Sequence, residues 1–282
     1  MINNESLAPF RRVNPLYGWK WLSAGWEIFK QNPPLWLSLM ATYFFGTLFL
    51  LAIPGIGPLI FFLIVPGVQA GCLLACRDLE QGQELEISHL IAGFKAAAKP
   101  LIALGSIAFA ASMTTLFLLV LAWKEKFGEI LQLITADTLD FVAIEVAALA
   151  LTTPLVIAVG IFTLFAMAMW FAPALIVFRQ VRPFQALSLS LRAMAANFWP
   201  FLVYSILLIL LDIAISLVAR IVVSLVAGIA GGLAGNLAFV LMAFPIVFLF
   251  FALMIGGIYQ GYKDIFEFGP VVAGSNEEPT SE

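Results

Sequence analysis

Asp212 is the most informative polar residue, because it stands inside the apolar run LLILLDIAISLVARIVV, residues 207–223. If this run crosses a bilayer, such an acid could carry protons or bind a cation, since intramembrane ionisable residues are functional candidates by default. Arg220 lies eight residues further on, about 12 Å along a helix and about 80° around it, so a direct pair with Asp212 is not expected. A packing role for Asp212 is favoured over transport, because one acid alone makes a poor relay.

The other reactive side chains form no recognisable catalytic set. Cys72 and Cys76 are one helical turn apart and could form a redox pair or a soft-metal site, but packing is favoured because no third ligand lies nearby in sequence. His89 is the only histidine, and we predict a solvated position for it. The sequence has no P-loop, Gly-x-Ser-x-Gly or His-Glu-x-x-His motif. We therefore expect no enzymatic activity, no cofactor and no metal.

The amino-acid composition indicates that much of the chain lies in a lipid bilayer rather than in water. The 282-residue chain is 62% hydrophobic and 11% charged, whereas ordinary soluble domains carry about 25% charged residues. Long runs without charge are typical of transmembrane helices. We predict an all-α integral membrane protein with six spans, which are 35–53, 59–76, 101–123, one within 143–178, one from 198 to about 220 or farther, and about 237–259. We expect the fourth segment to bend near Pro154 or Pro173, or to project past the headgroups. The glycine-rich stretch 227–236 is predicted to be a flexible connection.

Basic residues indicate the orientation of these spans. If the N-terminus is cytoplasmic, eleven of the fourteen Lys and Arg residues fall on the cytoplasmic side, and only Lys124, Lys126 and Arg220 fall outside. Positive residues concentrate on the cytoplasmic side. We therefore predict a multi-pass membrane protein with both termini cytoplasmic. Residues 1–16 read as a tail without a cleavable signal, and residues 267–282 read as a disordered tail. The outer loop 124–140 is predicted to contain a short amphipathic helix.

Three amphipathic segments each lead through a proline into a span. In the first, Trp19, Leu22, Trp26 and Phe29 share one helical face beside Lys20. Such a helix is too polar to cross the bilayer and should lie in the headgroup plane. The same spacing recurs at residues 87–97 and 184–194, and the prolines are at 34, 100 and 200. We predict three pseudo-repeated units, about 17–78, 85–180 and 183–266, within one six-helix domain at 17–266. The expected interfacial anchors are Trp19, Trp26, Phe29, Trp199 and Arg220.

The stretch FAPALIVFRQVRPFQALSLSLRAMAANFWPFLVYSI, residues 171–206, carries a family resemblance. Its pattern of Ala172–Pro173, an apolar stretch, then Ala186, Ser190 and Asn197 before a span resembles bacterial six-helix inner-membrane proteins similar to YciC. It also resembles the membrane domain attached to some glycerophosphodiester phosphodiesterases. The resemblance implies this architecture and a location in the bacterial inner (cytoplasmic) membrane, without an assigned activity. We do not expect the phosphodiesterase catalytic activity, because a single His cannot supply the acid–base and metal-binding groups of that domain.

Two hypotheses for function remain after this reading. The favoured one is a non-enzymatic component of the envelope that acts in assembly, as a scaffold or by interacting with lipids. The alternative is a small transporter or channel that uses Asp212, which would need a polar path at mid-membrane. The candidate polar residues for such a path are Gln69, Ser106, Ser112, Thr114, Thr115, Thr152, Thr153 and Ser205. The expected partners are membrane lipids, with a second copy of the chain or another membrane protein as further candidates. No basic patch suggests a nucleic acid.

Overall fold

The computed structural model describes residues 10–135 and 141–267, and within these ranges every regular element is a helix. Among the described residues, six helices are long and apolar enough to cross a membrane, which agrees with the predicted number of spans. The elements are α1 Tyr17–Gln31, α2 Pro33–Leu51, α3 Gly57–Glu80, α4 His89–Thr135, α5 Phe141–Ala150, α6 Thr152–Trp170, α7 Ala172–Arg179, α8 Pro183–Ala196, α9 Phe198–Ala230 and α10 Gly232–Phe266.

Helix α9 continues past Arg220 to Ala230, and α10 extends beyond both ends of the predicted sixth span, so the two helices are joined through a single residue. Gly231, with a φ of +90°, separates the end of α9 from the start of α10. The prediction of a flexible glycine-rich connection over 227–236 was therefore wrong. Backbone polar groups near lipid must be satisfied within the chain, and this requirement favours helix even through an Ala/Gly-rich stretch.

Prolines divide the fourth apolar segment into three helices, as its length suggested. Helix breaks occur at Leu151, shortly before Pro154, and at Phe171, shortly before Pro173. Proline has no backbone N–H, so Pro154 and Pro173 cannot continue the hydrogen bonding of the preceding helix and are suited to the first turn of a new one. On the preceding span, α4 continues to Thr135 without a loop after Trp123. The short helix predicted within 124–140 is thus an extension of α4, and residues 136–140 lie outside the described ranges.

Each predicted corner between an amphipathic helix and a span is present as a backbone break. Asn32 has φ −154° and ψ 74°, Ala97 has φ −154° and ψ 53°, and Asn197 has φ −115° and ψ 33°. A proline follows each break within three residues, at 34, 100 and 200. The breaks confirm the local corners. The grouping of the chain into three equivalent units stays a prediction.

Helix α1 packs through a face that the sequence reading did not identify. Trp21 is 1% exposed and contacts Phe201 and Tyr204 of α9, with ring centroids 4.8 and 6.1 Å away. Gly18 and Gly25 permit this approach: a methyl group on either would lie 2.6 Å from a backbone carbonyl oxygen, that of Pro200 or Leu253. The face of α1 that carries Trp21 therefore packs against the bundle, and another face carries the exposed side chains of Trp19 and Trp26.

The tightly packed core lies at one end of the bundle, which we call the charged end. This end contains the amphipathic helices, the end of α3, helix α7 and the end of α10, where the fully buried side chains concentrate. In α9, by contrast, the buried residues are Pro200, Phe201 and Tyr204, all in its first two turns. The opposite ends of the long helices carry mostly exposed apolar side chains, as expected for surfaces that face lipid.

Candidate functional site

Asp264 forms the centre of a buried polar cluster at the charged end. Asp264 is 6% exposed, and its carboxylate accepts hydrogen bonds from Lys20 Nζ at 2.8 Å and Trp21 Nε1 at 3.1 Å. Gln260 Nε2, one turn earlier on α10, donates at 3.1 Å, and Arg11 Nη2 lies 3.8 Å from the carboxylate. A buried carboxylate is stable only when it is paired and hydrogen-bonded. This cluster ties α1 and the N-terminal segment to the end of α10.

A second set of polar contacts joins α3 to α4 and α10. Tyr259 donates its hydroxyl hydrogen to Glu80 Oε2 at 2.6 Å, and His89 Nε2 lies 3.3 Å from Asp78 Oδ2. His89 is 9% exposed, so the predicted solvated position was wrong. Its backbone carbonyl lies directly over Gly71, and this close approach of α4 to α3 buries the imidazole.

Ser190 and Asn197 form hydrogen bonds to backbone groups at or beside helix breaks. Both residues belong to the stretch that carries the family resemblance. Ser190 Oγ accepts from Phe171 N at 3.0 Å and donates to the Met167 carbonyl at 2.8 Å. It therefore stands between the donor and acceptor that would bond each other in an unbroken helix, a recognised cause of a kink. Asn197 Oδ1 accepts from Val13 N at 2.8 Å, which fixes the N-terminal segment to the corner between α8 and α9.

A cavity of about 340 Å³, which we call the central cavity, lies among α2, α3, α4, α6 and α10. Among the polar residues considered for a transport path, Gln69 and Ser112 line it. Others are engaged with their own helices: Ser106 Oγ donates to the Ile102 carbonyl at 3.0 Å, and Thr115 Oγ1 to the Ala111 carbonyl at 2.9 Å. The remaining wall is predominantly apolar. The predicted polar side chains therefore converge only in part.

Asp212 does not line the central cavity. It is exposed on α9 and lines a separate cavity of about 270 Å³, together with Leu208 and residues of α10 such as Ile246. Phe251 and Met254 belong to the walls of both cavities. An apolar partition therefore stands between Asp212 and the polar residues of the central cavity.

The other predicted site residues occupy the following positions. Trp19, Trp26 and Trp199 are 61%, 44% and 64% exposed, and Arg220 is also exposed. Phe29 is 8% exposed and stacks on Trp26, with ring centroids 5.7 Å apart. Phe29 thus packs in the protein, and the tryptophans present the apolar surface. Cys72 and Cys76 are free and buried.

Sequence reasoning missed the polar residues at the end of α10. Gly257, Gly261 and Asp264 follow one another at helical spacing, so a stripe of small residues on α10 leads directly to the carboxylate. That spacing is the signal that could have identified Asp264. Across residues 10–135 and 141–267, no group of three or more His, Cys, Asp or Glu side chains is arranged to hold a metal ion.

Comparison with known proteins gives one informative relative. The chain is 28% identical over 214 residues to a probable inner membrane protein of Burkholderia thailandensis, which covers 72% of this chain and 76% of that protein. No family model matches the chain, and no solved structure matches it. With the six apolar helices, this similarity supports an integral inner membrane protein. The resemblance to proteins similar to YciC stays a prediction.

Proposed function

We propose that the protein is a non-enzymatic component of the bacterial inner membrane that interacts with lipids through its charged end. The observation that carries this proposal is the arrangement of the amphipathic helices. Helix α1, the start of α4 and helix α8 all lie at the same end of the bundle, and each presents exposed apolar side chains. Helices of this kind lie in the headgroup region, with their apolar side toward the acyl chains.

Exposed cations accompany these apolar side chains. Ile91 is 53% exposed on α4, and Lys95 and Lys99 follow it on the surface. On α8, Phe184 is 73% exposed, and Arg192 is exposed two turns later. Each Lys or Arg near an anionic membrane surface contributes about 1 kcal/mol of attraction. The proposed partners are therefore anionic phospholipids of the leaflet at the charged end.

The double variant Lys95→Gln/Lys99→Gln should retain less phosphatidylglycerol than the wild-type protein. Two charges at about 1 kcal/mol each predict a loss of roughly thirtyfold in affinity at low salt. The measurement is lipid retained by the purified protein after extraction from vesicles of phosphatidylglycerol and phosphatidylethanolamine. The matched control is Lys124→Gln/Arg220→Gln, which removes two exposed cations near the opposite end and should leave that retention unchanged. Equal losses from both doubles would contradict the proposal.

The second expected result concerns orientation, which we propose places the charged end in the cytoplasm. It follows from the concentration of Lys and Arg at that end. Reporter fusions after residue 130 should read periplasmic, and fusions after residues 90 and 275 should read cytoplasmic. A cytoplasmic signal at residue 130 would exclude this topology.

One observation supports the alternative of a transporter: Asp212 lines a cavity between α9 and α10. Asn is nearly isosteric with Asp but cannot ionise. Under the lipid-interaction proposal, Asp212→Asn should leave both protein level and any cellular phenotype intact. Loss of the phenotype at unchanged protein level, measured in cells that depend on the protein, would favour transport instead. The control is Ser216→Ala, one turn further along the same helix.

A further inference from the structure

We propose that the central cavity binds one hydrocarbon chain of a membrane lipid. This site lies within the spans and is separate from the headgroup interactions proposed for the charged end. It therefore requires no anionic lipid, and neutral phospholipids should occupy it equally well.

The wall of the central cavity has the chemistry of a site for an apolar chain. Phe62, Val65, Phe165, Met254 and Ile255 are representative of its lining, which five helices contribute. Gln69 Nε2 already approaches the Trp170 carbonyl at 3.5 Å, so part of its polarity is directed into the protein. Apolar cavities stay dry and take up apolar ligands. Its volume of about 340 Å³ is within the range of small-molecule sites.

The cavity reaches from the protein interior to the side of the bundle. Of its lining residues, Met40 and Ile258 are each 2% exposed, whereas Phe162 is 63% exposed. Helix α6, which carries Phe162, packs mainly against α8 and α4 rather than against α2 or α10. A chain from the surrounding bilayer can therefore enter sideways, without passing through the polar charged end.

The depth of the cavity matches the hydrocarbon region. Its lining on α3 extends from Phe61 to Cys72, about 16 Å along the helix axis. Cys72 precedes Glu80, which lies at the charged end, by eight residues, or about 12 Å. Acyl chains are the molecules present at this depth, and an empty apolar space would forfeit the dispersion contacts of its walls. An acyl chain is therefore the occupant that the position and the lining select.

Photolabelling tests this proposal with phosphatidylethanolamine that carries a diazirine in the middle of one acyl chain. The full-length protein in vesicles of this lipid should be labelled on irradiation at Cys72 and Ile255, which are 3% and 7% exposed. Only a chain inside the cavity reaches such residues. Ala166→Phe places a ring in the cavity and should reduce labelling of both residues about tenfold, because the added volume excludes the chain.

Matched variants keep the test decisive. Val159→Phe adds a ring to the same helix at a residue that is 55% exposed and does not line the cavity, so it should not change the labelling. Ser112→Leu fills the cavity from α4 and replaces Ala166→Phe if that variant fails to accumulate. Absence of labelling at Cys72 and Ile255 while exposed α9 residues are labelled would overturn the proposal, as would undiminished labelling in both filling variants. Because the probe is neutral, failure here is distinguishable from failure of the anionic-lipid proposal.

Discussion

Gly71→Ala should strongly destabilise the protein. A methyl group at this position would lie 2.0 Å from the backbone carbonyl oxygen of His89, far inside van der Waals contact. Gly93 on α4 is equally close to α3, since its methyl would lie 2.1 Å from the Gly67 carbonyl oxygen. The obstacle is backbone in both cases and cannot move by a change of rotamer. Overpacking typically costs about 1–3 kcal/mol, and we expect at least the upper part of this range.

The measurement is the thermal unfolding midpoint of purified Gly71→Ala in detergent, with the amount of folded protein recovered from membranes as a second readout. Gly46→Ala is the matched control, because an added methyl there meets no atom within 4 Å. In a helix, Ala is favoured over Gly by about 1 kcal/mol, so this control should be neutral or stabilising. Gly261→Ala should also be tolerated, since its nearest contacts would be at 3.5 Å. A wild-type midpoint for Gly71→Ala would refute the close packing of α3 against α4.

Asp264→Ala should produce the second large effect, by leaving the buried Trp21 Nε1 without its acceptor. Lys20 would lose its partner too, although its side chain is 51% exposed and water can replace much of that contact. Leaving a buried donor unsatisfied costs about 1–3 kcal/mol. We expect a loss in this range, detectable as a lower unfolding midpoint in detergent.

The same variant should loosen the N-terminal segment. Arg11 N donates to the Ile265 carbonyl at 2.9 Å, so this segment lies directly on the turn of α10 that Asp264 stabilises. Limited proteolysis should cleave near residues 11 and 12 faster in Asp264→Ala than in the wild-type protein. The control is Glu27→Ala, which removes a pair with Lys30 between side chains that are 62% and 46% exposed. An exposed pair contributes about 0–1 kcal/mol, so Glu27→Ala should behave as wild type. Identical behaviour of Asp264→Ala and Glu27→Ala would contradict the role assigned to Asp264.

The features that the sequence predicted correctly depend on local signals. Spans are recognisable from runs of apolar residues, and the corners at Asn32, Ala97 and Asn197 follow from prolines at most three residues away. The break at Phe171 was expected for the same reason. The hydrogen bond from Phe171 N to Ser190 Oγ was not expected, because Ser190 belongs to another helix.

The features that were missed depend on contacts between distant parts of the chain. The sequence does not distinguish Trp21 from the exposed Trp19 and Trp26, because its partners Phe201 and Asp264 lie 180 and 243 residues further along the chain. His89 sits on a polar flank of its own helix, but the approach of α3 buries it. Gln69 and Ser112 have no sequence relationship that would place them in one cavity. Periodicity identifies which residues share a face of one helix, and it contains no information about which helix covers that face.

The hairpin formed by α9 and α10 has a consequence for bilayer thickness. Helix α9 has 33 residues, about 50 Å of length, against a hydrocarbon core of about 30 Å. Its far tip is not adapted to water, since Ile229 is 88% exposed and Leu233, just past Gly231, is 77% exposed. When a hydrophobic helix is longer than the hydrocarbon core is thick, the mismatch is relieved by tilting of the helix and by local thickening of the bilayer. A tilt of about 40° still leaves the hairpin roughly 38 Å tall, so the protein should partition into thicker regions of a membrane.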